Sequence, residues 1–151
     1  MQIWVDADAC PRAIKEILFR AADRARVRVT LVANRLLPVP RSPFLRSIRV
    51  PSGFDKADHR IAELMEPGDL VVTADIPLAA VVVRQGGQAL DPRGKEYTED
   101  NVAQALATRN LLDQLRSEGH ELGGPAPLGA GECQAFAGRL HQLLERGKTP
   151  G

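Results

Sequence analysis

Short apolar runs alternate with stretches of helical period along the chain. Gln2–Val5 reads as a buried strand, and Pro11 to about Arg24 sets Ile14, Ile17, Leu18 and Ala21 at helical spacing. A proline in the first turn opens such a helix without loss. Val27–Ala33 alternates as a strand, which makes the opening unit β-α-β. Asn34–Pro43 holds three prolines and is expected to be irregular, with a short strand at Ser47–Val50. A second helix is predicted from Phe54 to Met65, a β-branched central strand at Asp69–Thr73, and a third helix at Ile76–Gln85. The third helix is apolar nearly all round, so a cover is expected, either a second subunit in a homodimer or the carboxyl-terminal segment. Gln88–Leu90 fits a last strand and Pro92-Arg93-Gly94 a turn. Thr98 is a good N-cap for a helix to about Arg116, Gly119–Gly131 must be loop, and Glu132–Arg146 closes the chain.

Strands alternating with helices predict an α/β fold: one domain over residues 1–146, a mostly parallel central sheet with helices on both faces, and a frayed tail at 147–151. A length of 151 residues suits one core. The longest apolar run, Pro77–Val83, is far too short to span a bilayer, so no membrane partner is expected. Cys10 and Cys133 are too few and too scattered for a disulfide framework, which fits a reducing, cytoplasmic setting.

This topology gives the acids their meaning. Asp6 and Asp8 directly follow the first strand, and Asp75 follows Val71-Val72-Thr73-Ala74. In open α/β sheets ligands gather at the carboxyl ends of the strands. Asp55 and Asp58, three apart at a helix start, share one face and are candidates for the same rim. Several carboxylates together repel one another and call for a cation. With no His or Cys cluster, the oxygen-only set suits Mg2+ or Mn2+, ions that leave positions open to water and phosphate. Such ions polarise a phosphoryl oxygen and activate water, which is the chemistry of phosphodiester hydrolysis. Each acid also has a plainer use. Asp8 and Asp75 stand ahead of helices, where a carboxylate caps free amides.

The net charge of +1 hides an asymmetry. Residues 24–54 carry seven arginines and no acid, leaving the rest of the chain acidic by six charges. Arg24, Arg26 and Arg28 can be the solvated side of a strand, whereas Arg35, Arg41, Arg46 and Arg49 are candidates for holding a nucleic-acid backbone, since guanidinium groups match phosphate oxygens. Arg93 and Arg109 are candidates for orienting phosphate at the rim, or for surface ion pairs. Exposed aromatics are scarce, so any nucleic-acid affinity should come from phosphate contacts and depend on salt. Cys10 is expected to be packing, His59 a solvated helix residue, and no serine has the surroundings of a hydrolase nucleophile.

Val5-Asp6-Ala7-Asp8-Ala9-Cys10-Pro11, Gly53-Phe54-Asp55-Lys56-Ala57-Asp58, the string Gly68 to Ala79 and Pro92-Arg93-Gly94 with Tyr97-Thr98 resemble the YaiI/YqxD family of bacterial proteins. The likeness runs from Met1 to about Phe136. That family is similar in turn to PIN-like domains, many of which are metal-dependent ribonucleases. The resemblance implies catalytic roles for Asp6, Asp58 and Asp75, with Asp8 as an added acid and RNA or single-stranded nucleic acid as substrate. Nucleases of that class often carry glutamate at the middle position, where this chain offers Asp55 or Asp58. Two other readings fit the opening motif. One is a haloacid-dehalogenase-like phosphatase, with Asp6 as nucleophile, Asp8 as general acid and Gly68-Asp69 as a later acidic motif. The other is a non-catalytic nucleic-acid or protein binding module whose acids and one ion hold the rim together.

Overall fold

Ile3–Asp6 (β1) is buried at every residue, as a strand covered on both faces must be, and it lies inside a six-stranded sheet. The computed structural model describes residues 1–53, 56–122 and 128–148. After β1 and a 3-10 turn (Ala7–Ala9) come α1 (Arg12–Ala25), β2 (Val29–Ala33), β3 (Leu45–Arg49), α2 (Lys56–Leu64) and β4 (Leu70–Val72). Then follow α3 (Ile76–Arg84), β5 (Gln88–Leu90), β6 (Glu96–Tyr97), α4 (Glu99–Ser117) and α5 (Ala130–Lys148). The strand order is β3-β2-β1-β4-β5-β6, with β6 antiparallel to β5 and every other pairing parallel.

Each face of the sheet has its own apolar layer. On one, Ile14, Leu18 and Ala21 of α1 and Phe136, Leu140 and Leu143 of α5 pack over Ile3, Val5, Leu31 and Val72. On the other, Ile61 of α2, Leu78, Ala79 and Val82 of α3 and Val102 of α4 pack over Trp4, Val32, Val71 and Ala89. The expected α/β architecture, mostly parallel with helices on both faces, is therefore what the chain forms.

Several local expectations change. α3 packs against α4 and α2 within the chain rather than against the carboxyl-terminal helix. Pro11 is the extended N-cap of α1 rather than part of its first turn. β3 begins at Leu45, and α5 starts at Ala130 and runs to Lys148, taking in residues expected to fray. The predicted start of α2 at Phe54 and Asp55 lies outside the described residues.

β6 was not expected, because two residues carry no periodicity. The turn into it is held against α5 at Gly94, whose φ is +97° and where a Cβ would stand 2.8 Å from the Ala135 carbonyl carbon. Gly94→Ala should therefore destabilise the fold by more than about 1 kcal/mol, lowering Tm by at least roughly 2–4 °C. A thermal melt of the variant checks this, and an unchanged Tm would mean that the turn relaxes away from α5.

Candidate functional site

The chain adds β2 and β3 on one side of β1 and then returns to place β4 on the other. The carboxyl ends of β1 and β4 therefore form the point where the strand order reverses, the usual ligand crevice of such sheets. β1 ends in Asp6 and β4 is followed by Thr73, one step beyond the Val5–Val72 pair. Both residues are buried. The Thr73 hydroxyl donates to Asp6 Oδ2 at 3.0 Å and accepts the Asp75 backbone N–H at 2.9 Å, so one side chain ties the two acid-bearing strand ends together. Thr73 was not singled out from the sequence, since its role follows from strand register.

Asp6 bears the electrostatic load of the rim. Burial pushes its carboxyl above the ordinary value of 3.8, the Thr73 hydroxyl pulls it back, and the charges of Asp75 and Asp8 push it up again. Asp6, Asp8 and Asp75 thus share one rim, as expected from the strand ends. The latter two are partly committed. Asp75 is the N-cap of α3, its Oδ1 accepting the Leu78 N–H at 2.9 Å. Asp8, exposed, does not cap α1; its two oxygens accept the Asn34 N–H at 3.2 and 3.0 Å, which fastens the start of the arginine-bearing loop to the acidic rim. Asp58, on α2, lines a groove of about 340 Å³ with His59, Ala62, Asp75, Pro77, Leu78, Val81 and Arg109. Asp55 lies outside the described residues. Among the described residues no three His, Cys, Asp or Glu side chains converge closely enough to hold one metal ion as they stand.

Asp69 sits at the other end of the sheet. Its carboxylate is buried and fully engaged with N–H donors, from Gln2 at 3.1 Å, the Trp4 indole at 3.0 Å and Glu66 at 2.9 Å. It is a structural acid. The haloacid-dehalogenase-like arrangement would need it beside Asp6 and Asp8, from which the length of β4 separates it. Cys10 is buried and burial pushes its thiol up to about 12, so it stays a protonated packing group at neutral pH.

The arginines do not gather. Arg35, following Asn34, and Arg49, the last residue of β3, end near the acidic rim. Arg46, at the second position of β3, and Arg41, next to Ser42 whose hydroxyl bonds Asp23 near the end of α1, lie toward the far end. Arg93 stands at the carboxyl end of β5 and pairs with Glu132 of α5 at 3.6 Å. Arg109 reaches the groove of Asp58 and Asp75 while pairing with Asp113 at 3.2 Å.

The same sequence pattern recurs in other bacterial proteins. A profile described as "Uncharacterized BCR, YaiI/YqxD family" matches residues 4–146. The chain belongs to the YaiI/YqxD family. It is similar to a UPF0178 protein of Janthinobacterium sp. (strain Marseille), 55% identical over 151 residues and covering 100% of both chains. A UPF0178 protein of Burkholderia cenocepacia (strain J2315) is 56% identical over 150 residues, 99% of this chain and 100% of that one. One from Burkholderia orbicola (strain MC0-3) is 57% identical over 146 residues, 97% of each. No solved structure matches the chain at a significant level. Among the described residues of this YaiI/YqxD protein, no helix is long and apolar enough to cross a membrane.

The raised Asp6 carboxyl has a consequence for stability. In strong acid it is protonated in folded and unfolded chains alike and costs nothing. As pH rises past 3.8 the unfolded chain gives up its proton first, so stability falls until the higher folded pKa is passed and stays lower above it. Asp6→Asn, which can still accept from Thr73, should thus raise the metal-free Tm at about pH 7, with the gain shrinking toward about pH 4. Thermal melts in chelator at the two pH values check this; a variant less stable at both would contradict it.

Proposed function

We propose that this protein is a PIN-like phosphodiesterase, dependent on Mg2+ or Mn2+, that hydrolyses RNA or another single-stranded nucleic acid at the β1–β4 rim. The observation that carries the reading is the state of Asp6: a buried carboxylate at the ligand crevice, opposed by the charges of Asp8 and Asp75 and supported by a single hydroxyl. Packing has no need of such an acid, and the pattern is one that functional sites create.

The rim acids Asp6, Asp8 and Asp75 offer carboxylate oxygen, the donor that hard cations take, but no three of the described side chains converge on one point as they stand, so the ion would have to draw them together. Asp6 and Asp75 would hold the ion, with Asp8 and Asp58 alongside. Asp58 is preferred as the middle acid because it lines the groove that also takes in Asp75. When bound, the ion supplies Lewis-acid polarisation of a phosphoryl oxygen and an activated water. The chain's own residues do the positioning. Thr73 fixes the direction of Asp6 and the backbone of Asp75, the α3 N-terminus orients Asp75 through Leu78, and the apolar side of the groove, from Ala62, Pro77, Leu78 and Val81, limits water at one flank.

One observation favours a second reading. Asp8 and Asp75 already accept backbone N–H groups, as acids that merely hold a rim together would. In that case the protein is a non-catalytic module that binds nucleic acid or protein.

Saturating Mn2+, at a hundredfold excess over its Kd, should add about 2.7 kcal/mol to the wild type, a rise in Tm of roughly 5 °C or more, and Asp6→Asn should lose most of it. With Mn2+ present, single-stranded RNA or DNA should be cut by the wild type and spared by Asp75→Asn. Cutting by both alike would point to a contaminant and overturn the catalytic reading, while a metal-induced shift without cutting would select the binding module.

A further inference from the structure

A second groove, of about 440 Å³, adjoins the one that Asp58 and Asp75 line. Lys95, Arg109 and Arg116 line it together with Ile76, Tyr97, Asn101, Gln104, Ala105, Thr108 and Leu112, and no carboxylate among the described residues does. Ile76 directly follows Asp75, and Arg109 lines both grooves. On α4 the lining positions recur every three or four residues from Asn101 to Arg116, so they form one stripe of a single helix face. Arg109 and Arg116 are two turns apart on it, about 10 Å along the axis. That spacing suits a run of phosphates better than a single ion.

The geometry points to this α4 groove as the path of a single-stranded polynucleotide leading to the acidic rim, with Lys95, Arg109 and Arg116 contacting its phosphates. The choice of polyanion rests on the phosphodiesterase reading. The charges are divided accordingly, with Asp58 and Asp75 on one side of Arg109 and Lys95 and Arg116 on the other. Asp113 lies between the two arginines, 3.2 Å from Arg109 and 3.4 Å from Arg116. All three side chains are about half exposed, so these pairs are weak and phosphate can replace Asp113. Asn101, Gln104 and Thr108 add neutral hydrogen-bonding groups along the same stripe. The buried Tyr97 ring, with the Lys95 ammonium 5.4 Å above it, is not free to stack on bases, so the groove should hold backbone without reading sequence. This path differs from the one that the sequence suggested, over Arg35, Arg41, Arg46 and Arg49.

The test is fluorescence anisotropy with short labelled single-stranded RNA and DNA oligonucleotides in chelator, across a salt series. Replacing both arginines (Arg109→Gln with Arg116→Gln) should weaken binding and lower the slope of log Kobs against log salt by about 1.4; Lys95→Gln alone should lower it by about 0.7. The double variant Arg20→Gln with Arg24→Gln removes the same charge from α1 and should bind as the wild type does. Losses confined to Arg35→Gln with Arg41→Gln would overturn the inference, as would no wild-type binding. Cleavage separates it from the catalytic reading. Binding through α4 without cutting in Mn2+ keeps the groove and removes the enzyme, whereas cutting that the α4 variants leave untouched keeps the enzyme and removes the groove.

Discussion

The parallel pairing of β1 with β4 sets Asp6 beside Thr73, and the site depends on that contact. A carboxylate at this junction has lost most of its water and faces two like charges, so its ionised form is held at a cost. The Thr73 hydroxyl offsets part of it, and the same oxygen fixes the Asp75 backbone at the start of α3. Helix, strand ends and acids are therefore coupled through one hydroxyl. Burial of β1 and β4 on both faces keeps that hydroxyl in place, which links the packing of the core to the chemistry of the rim.

The two ends of the sheet show what this arrangement means. Asp69, at the amino end of β4, accepts three N–H groups and serves the fold, tying Gln2, Trp4 and the turn before β4 together. Asp6, at the carboxyl end of β1, has one hydroxyl and two repelling neighbours. The residue type and the sheet are the same. Only the surroundings differ, and they separate an acid that stabilises the fold from one whose ionised form is held at a cost.

The central strands were legible because burial on both faces leaves continuous apolar runs, and the placement of Asp6, Asp8 and Asp75 at one end of the sheet followed from acids standing after two such runs. What could not be read depended on contacts between distant segments. Thr73 looked like an ordinary strand residue until register set it against Asp6. The cover of α3 came from α4, whose few inward positions give a weak apolar stripe; Leu111 and Leu112 remain exposed. The arginines looked like one patch in sequence, but the segment from Asn34 to Phe44 runs from the acidic rim to the start of β3 and so spreads them over both ends of the sheet. Two-residue β6 left no period to detect, yet it carries the chain into α4 and so builds the basic groove.

The proposed divalent-cation site at Asp6 is tested most directly by an NMR titration of its side-chain carboxyl carbon, without metal and with saturating Mg2+. The metal-free pKa should lie above 3.8 and fall when Mg2+ is added, because the cation favours the ionised form. An Asp6 that titrates at or below 3.8 without metal, or whose titration Mg2+ leaves unmoved, would refute it.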